Sequence, residues 1–215
     1  MSGTNCIYPA NNHFFYVSQK PHPSEPDLSC KKYSPRLENL IKNGGFEDWV
    51  SGCLPLSWKG SNLLSNSYSH TGIAAVQLGR FICSNPEPCK GSVDLALQLP
   101  ASLFQEVEVL PGHVFTLNFY SSLWIRKTTL RDEPHTPPLE NPPLQVNLTW
   151  LNNHGQPLGI GICLNIPSNT LGPLWSSFRE VSSIVPHKAV KARLSIAKSA
   201  GWPVLIDDVS LHVKN

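Results

Sequence analysis

The chain has 215 residues, 40% of them hydrophobic, which is enough for one sizeable core. Only 15% are charged and the formal net charge is +2, so the electrostatic footprint of a nucleic-acid-binding protein is absent. No apolar run approaches the roughly 18 to 20 residues that span a bilayer, and the N-terminus lacks the basic and apolar regions of a signal peptide. The expectation is no nucleic acid, no membrane insertion and no classical leader.

Residues 1–37 form a polar stretch with five prolines between residues 9 and 36 and one short apolar patch, Phe14 to Val17. The composition predicts an extended N-terminal arm. Its patch is suited to add as an edge strand, to its own domain or to a neighbour. Cys6 and Cys30 lie in this arm and can pair with each other or with a neighbouring subunit. Cys83 and Cys89 bracket the turn-rich SNPEP, which suits a local disulfide. Free thiols in a reducing compartment remain the alternative.

From residue 38 to 215 the pattern is β throughout, with no 3.6-residue period sustained over three turns. GIAAVQLG reads as a short strand, followed by SVDLALQLP and SLFQEVEVLP. In HVFTLNFYSSLWIRK, Phe115, Leu117, Phe119 and Leu123 alternate with polar residues. PLQVNLTWL places Leu144, Val146, Leu148 and Trp150 on one face, and the turn NNHGQP leads into LGIGICLNI as a hairpin. SFREVSSIV, AVKARLSIA and VLIDDVSLHV complete the set. Strands separated by turns, without helices between them, indicate an all-β sandwich or barrel. The proline-rich segment 127–143 reads as a long loop.

The last strand raises a question of charge. Strict alternation puts Leu205, Val209, Leu211 and Val213 on one face and Asp207 with them. A buried carboxylate needs a partner, a proton or a metal. A one-residue bulge would transfer that role to Asp208.

No catalytic constellation is present in the sequence. The eight histidines are scattered, and neither a zinc-type H-E-x-x-H nor a G-x-S-x-G elbow occurs. The expectation is a protein without enzymatic activity.

NLIKNGGFEDW near the domain start, SHTGIAAVQLG, SLFQEVEVLPGHVFTLNFY and VNLTWLNNHGQPLGIGICLNIP in the middle, and VLIDDVSL near the end occur in that order. Together they resemble the jelly-roll modules of the galactose-binding-like superfamily, of the family 4, 9 and 22 carbohydrate-binding type. Within it they are similar to an N-terminal domain of collagen-like, triple-repeat proteins of the Firmicutes spore surface. The resemblance implies a jelly-roll β-sandwich of two antiparallel sheets. It also implies a structural calcium held by Glu47 and Asp207, with Asp208 as alternate, and by carbonyls near Asn43, Gly45, His70 and Gly72. Hydrogen bonds from backbone amides, or an arginine, are the alternative partners for Asp207.

Two functions follow from the resemblance. One is a self-associating structural protein of a spore surface or extracellular appendage, joined through the arm and its cysteines. The other is a carbohydrate-binding module using a concave sheet face. The strand patterns supply polar candidates for that face in Asn118, Tyr120, Gln145, Asn147 and Arg193, with Tyr120 and Trp124 as stacking rings.

Overall fold

The longest strands alternate apolar and polar side chains, and this alternation sets the layers. The computed structural model describes residues 38–50, 54–79, 100–123, 142–167 and 170–214. Twelve strands run through them: β1 (Trp49–Val50), β2 (Leu54–Pro55), β3 (Lys59–Ser61), β4 (Leu63–Asn66), β5 (Ala75–Leu78), β6 (Ala101–Glu108), β7 (Phe115–Leu123), β8 (Leu144–Leu151), β9 (Pro157–Ile166), β10 (Ser176–Val181), β11 (Lys191–Lys198) and β12 (Val204–Val213). No helix occurs among the described residues. β1 and β2 pair alone. The others form two five-stranded antiparallel sheets, ordered β10-β7-β12-β5-β4 and β3-β6-β11-β8-β9. The fold is a jelly-roll β-sandwich. The expected strand SVDLALQLP falls outside the described residues, as does the arm with its cysteines.

The core lies between the sheets. Phe115, Leu117 and Phe119 of β7 meet Leu144, Val146, Leu148 and Trp150 of β8 and Leu194 and Ile196 of β11, none more than 1% exposed. Each such side chain contributes about 1.5–3 kcal/mol by leaving water. Trp150 requires glycine at Gly161, because a Cβ there would lie 2.4 Å from its ring.

Strand β12 departs from strict alternation. Its register against β7 shifts between Asp207 and Ser210, and Asp208 has a left-handed φ of 49°. Before this bulge, Val204 and Ile206 belong to the core cluster; after it, Val209 and Leu211 do. Leu205 and Asp207 therefore point away from the opposite sheet, yet both are fully buried. The single apolar face expected for Leu205, Asp207, Val209, Leu211 and Val213 is corrected by this extra residue. Asp207 sits opposite Tyr120 of β7 instead.

The segment before β1 is laced to the last strand. The Leu40 amide donates to the Leu211 carbonyl at 3.0 Å, and the Val209 amide donates to the Gly44 carbonyl at 2.9 Å. Asn39 Oδ1 accepts from the Ile41 and Leu211 amides. Gly44 has no alternative residue, since a Cβ would stand 2.0 Å from the Val209 carbonyl oxygen. Gln105 of β6 fixes the other side, accepting from the Lys42 amide and donating to the Lys42 carbonyl.

Candidate functional site

Two places gather the residues singled out in the sequence. The first is a clasp of carboxylates on the outer side of the β10-β7-β12-β5-β4 sheet. Its backbone comes from the turn before β1, the loop between β4 and β5, and the β12 bulge. Asp207 Oδ2 accepts from the His70 amide at 2.8 Å and the Thr71 amide at 3.3 Å, and its Oδ1 accepts from the Asp208 amide at 2.8 Å. Burial pushes the Asp207 carboxyl up to about 6, against the opposing pull of these amides. Asp208 takes the Thr71 hydroxyl on one oxygen at 2.5 Å and lies 2.6 Å from His70 Nδ1 through the other. The Ile73 amide forks to both Glu47 oxygens at 3.1 Å. Gly72, at φ +65°, packs directly on that carboxylate, where a Cβ would come within 1.8 Å of Oε1.

Glu47, His70, Gly72, Asp207 and Asp208 are thus brought to one place. Gly45 lies beside them, since a Cβ on it would be 3.8 Å from Asp208 Oδ1 and 4.0 Å from Glu47 Cγ. Asn43 has a different task. Its carbonyl accepts from the Phe46 amide and the Trp58 indole, and its side chain closes the turn on Asp48 and Leu56. Among the described residues, no three His, Cys, Asp or Glu side chains converge as a ready-made metal nest. The donor chemistry nevertheless suits a hard cation: carboxylates of Glu47 and Asp208 with backbone carbonyls, oxygen only.

An aromatic group covers the clasp. His70 stacks on Tyr120 with centroids 3.6 Å apart, and its edge meets Trp175 at 5.9 Å. Tyr68 stacks on Trp175 at 5.7 Å. The Tyr120 face that the sequence offered to a ligand is therefore occupied by His70. Trp175 and Tyr68 were not legible as partners, because both sit in loops without periodicity.

The second place is the outer face of β3-β6-β11-β8-β9. Cross-strand register sets Arg193 between Glu106 and Thr149, Ser195 between Phe104 and Asn147, and Ala197 between Ser102 and Gln145. Arg193 Nη2 and Nε donate to Glu106 Oε1 at 2.6 and 3.0 Å, and the guanidinium lies 5.4 Å from the Phe104 ring centre. This contact, chiefly through the hydrogen bond from Arg193, holds the Glu106 carboxyl below its usual range. Two shallow depressions flank β11. One of about 230 Å³ is lined by Pro143, Gln145, Ala197, Lys198 and Ser199, and one of about 200 Å³ by Ser57, Lys59, Phe104, Gln105 and Glu106.

The structure unites Gln145, Asn147 and Arg193 on this face. It does not unite them with Asn118 and Tyr120, which belong to β7 in the other sheet. Which strands share a sheet is decided by long-range pairing, to which alternation within one strand is blind. Phe104 and Glu106 complete the face and are marked in the sequence only as members of the strand SLFQEVEVLP. Trp124, Cys6, Cys30, Cys83 and Cys89 lie outside the described residues. Cys163 of β9, not singled out in the sequence, is disulfide-bonded.

No family model and no curated protein matches the chain. Solved structures do. The enzymatically active domain of bacteriophage CBA120 tailspike protein 4 matches with a TM-score of 0.56 at 16% identity, over 82% of this chain. This chain corresponds to only 21% of that domain. A family 61 carbohydrate-binding module in complex with β-1,4-galactotriose matches with a TM-score of 0.50 at 18% identity, over 82% of this chain and 99% of that one. A family 22 xylan-binding domain from Paenibacillus barcinonensis has a TM-score of 0.46 at 11% identity, over 82% and 94%. The first two likenesses show a shared fold alone, in one case with part of an enzyme and in the other with a carbohydrate-binding module.

Proposed function

We propose that the protein is a non-catalytic carbohydrate-binding module that holds a glycan on the outer face of the β3-β6-β11-β8-β9 sheet. The observation that carries this reading is the Phe104, Arg193, Glu106 group beside Asn147, Thr149 and Gln145. A guanidinium placed over an aromatic ring and hydrogen-bonded to a carboxylate is a preorganised donor fork, and the neighbouring amides offer both donors and acceptors. Sugar hydroxyls need such paired polarity, and the Phe104 ring offers an apolar edge to a pyranose. The fold shared with a galactotriose-binding module supports the reading. A surface outside the cell, or the surface of a spore, is where such a module would meet its polymer.

Glycan-array screening followed by calorimetry tests it. Arg193→Ala is expected to weaken binding about tenfold or more, as removal of a hydrogen bond from a charged group does, and Asn147→Ala about fivefold, the loss of a neutral one. Their thermal midpoints should stay close to the parent's. Failure to bind any glycan, or unchanged affinity in both variants, would sink the proposal.

The clasp is proposed as a structural calcium site, with Glu47 and Asp208 as carboxylate ligands, carbonyls of Gly45 and His70 beside them, and Asp207 orienting the loop. The ion would tie the chain's opening turn to its last strand. Calcium at a hundred times its dissociation constant should stabilise folding by about 2.7 kcal/mol, read as a higher thermal midpoint that a chelator reverses. An identical midpoint with calcium and with chelator would assign the clasp to internal hydrogen bonds alone.

A further inference from the structure

Strand β10 ends the β10-β7-β12-β5-β4 sheet, and its outer edge is open. The Ser182 amide donates to the Phe115 carbonyl at 2.8 Å, and the register sets Glu180, Phe178 and Ser176 opposite Leu117, Phe119 and Ser121. In an antiparallel pair the backbone groups of successive residues point to opposite sides. Ser176, Phe178 and Glu180 therefore bond β7, while the amides and carbonyls of Ser177, Arg179 and Val181 face away from it. No backbone group meets these three residues on that side among the described residues. The open stretch has a definite end, because the Gly161 carbonyl of β9 takes the Ser183 amide at 2.8 Å.

The side chains along this edge are arranged about Ser177. Ser177, Arg179 and Val181 are exposed and alternate with Phe178, which packs against the core, so they share the outer face of the sheet. Trp175, two residues before Ser177, lies on that face too, against His70 and Tyr68. Arg179, two residues after Ser177, makes no ion pair among the described residues.

We propose that β10 pairs antiparallel with β10 of a second copy, about a two-fold axis through Ser177, joining two five-stranded sheets into one of ten. The residue on such an axis meets its own copy, with Cα atoms about 5.5 Å apart. Serine suits that place, since a hydroxyl both donates and accepts. The same register sets Arg179 of each copy opposite Trp175 of the other, a cation against an aromatic ring. An axis through Arg179 would oppose two guanidiniums, and one through Val181 would drive the partner into the Ser183–Gly161 junction. Pro173, which lacks an amide, falls opposite Val181 and stops the ladder at both ends. An unrelated peptide would match the open backbone, but only a second copy answers the symmetric placement of cation and ring. The axis is perpendicular to the sheet, so the β3-β6-β11-β8-β9 faces of both copies look the same way. A polymer would then meet the glycan face twice, with a gain in avidity. The dimer rests on the β10 edge alone and does not depend on the glycan reading.

Sedimentation velocity of the full chain across a range of concentrations, with amide hydrogen exchange under the same conditions, tests the inference. A monomer–dimer equilibrium is expected. Exchange at the Ser177 and Arg179 amides should slow as dimer forms, while Ser176, Phe178 and Glu180 stay protected throughout. Ser177→Pro removes the amide on the axis and should leave only monomer, with the thermal midpoint near the parent's because that amide bonds nothing within one copy. Arg179→Ala should weaken the dimer about tenfold, since its contact is lost twice. Should Ser177→Pro fail to fold, Arg179→Ala and exchange in the parent decide. A monomer at every concentration overturns the proposal, as does a dimer that both variants leave intact. A dimer that a reductant splits but Ser177→Pro does not overturns it in favour of a cysteine link. Ser177 and Arg179 amides protected in the monomer overturn it in favour of another segment of the same chain on this edge.

Discussion

Asp207 shows how a buried charge is tolerated at the cost of pH sensitivity. Its carboxyl is raised from 3.8 to about 6, so between those values the folded chain holds a proton that the unfolded chain has lost. The contribution of this carboxyl to stability is therefore greatest below about pH 4 and is lost as pH climbs through 6, by about 3 kcal/mol at most. Thermal midpoints measured from pH 4 to 8 in chelator should fall along this window, and Asp207→Asn should remove the slope. A midpoint that rises instead, or a slope unchanged in Asp207→Asn, would overturn this assignment. Gly72 gives a second test at the same scale. Gly72→Ala should destabilise by about 1–3 kcal/mol, through its positive φ and its collision with Glu47. Combined with Glu47→Ala the loss should be less than the sum of the two single losses, since the collision partner is gone. Additive losses would show that the two residues do not touch.

The β12 bulge is where the element scale matters. Two adjacent aspartates interrupt a clean period of two, and nothing in the pattern marks the extra residue; only the register against β7 does. At φ 49°, Asp208 accepts a conformation that Asn and Asp tolerate and β-branched residues resist. Asp208→Asn should therefore cost less than about 1 kcal/mol, apart from any lost ion, and Asp208→Val about 1–2 kcal/mol more. Denaturant titration in chelator reads the difference, and equal losses would argue against the bulge. Elsewhere β6, β8 and β11 were legible because their side chains alternate between the core and the outer face: Val107 and Val109 are buried while Glu106 and Glu108 are exposed, as their order predicts. β1 to β4 were not legible. They are two to four residues long, contain Pro55 and Gly60, and are held by neighbours far away in the chain. The acidic residues of the clasp were legible through motif resemblance, whereas the partnership of Glu106 with Arg193 depends on β6 and β11 pairing across 87 residues.

At the scale of the whole molecule, both sheets share one core, so damage to either should be felt by both. Phe119→Ala, at a position fully buried and stacked on Phe178 at 5.0 Å, should cost about 3–5 kcal/mol. Unfolding followed by tryptophan fluorescence and by far-ultraviolet dichroism should remain a single coincident transition. Two separated transitions would mean that the sheets unfold independently. The lacing of residues 39–44 against β12 also has a mechanical side. Leu40 bonds Leu211 and Gly44 bonds Val209, so the two segments run antiparallel and residues 38 and 214 leave from the same end of the pair. Tension applied at those two points would meet the hydrogen bonds one at a time, starting with Leu40 to Leu211, as a zipper opens. Load would reach the carboxylate clasp only after that first bond had parted, which makes the clasp the stop at which peeling from the ends is arrested.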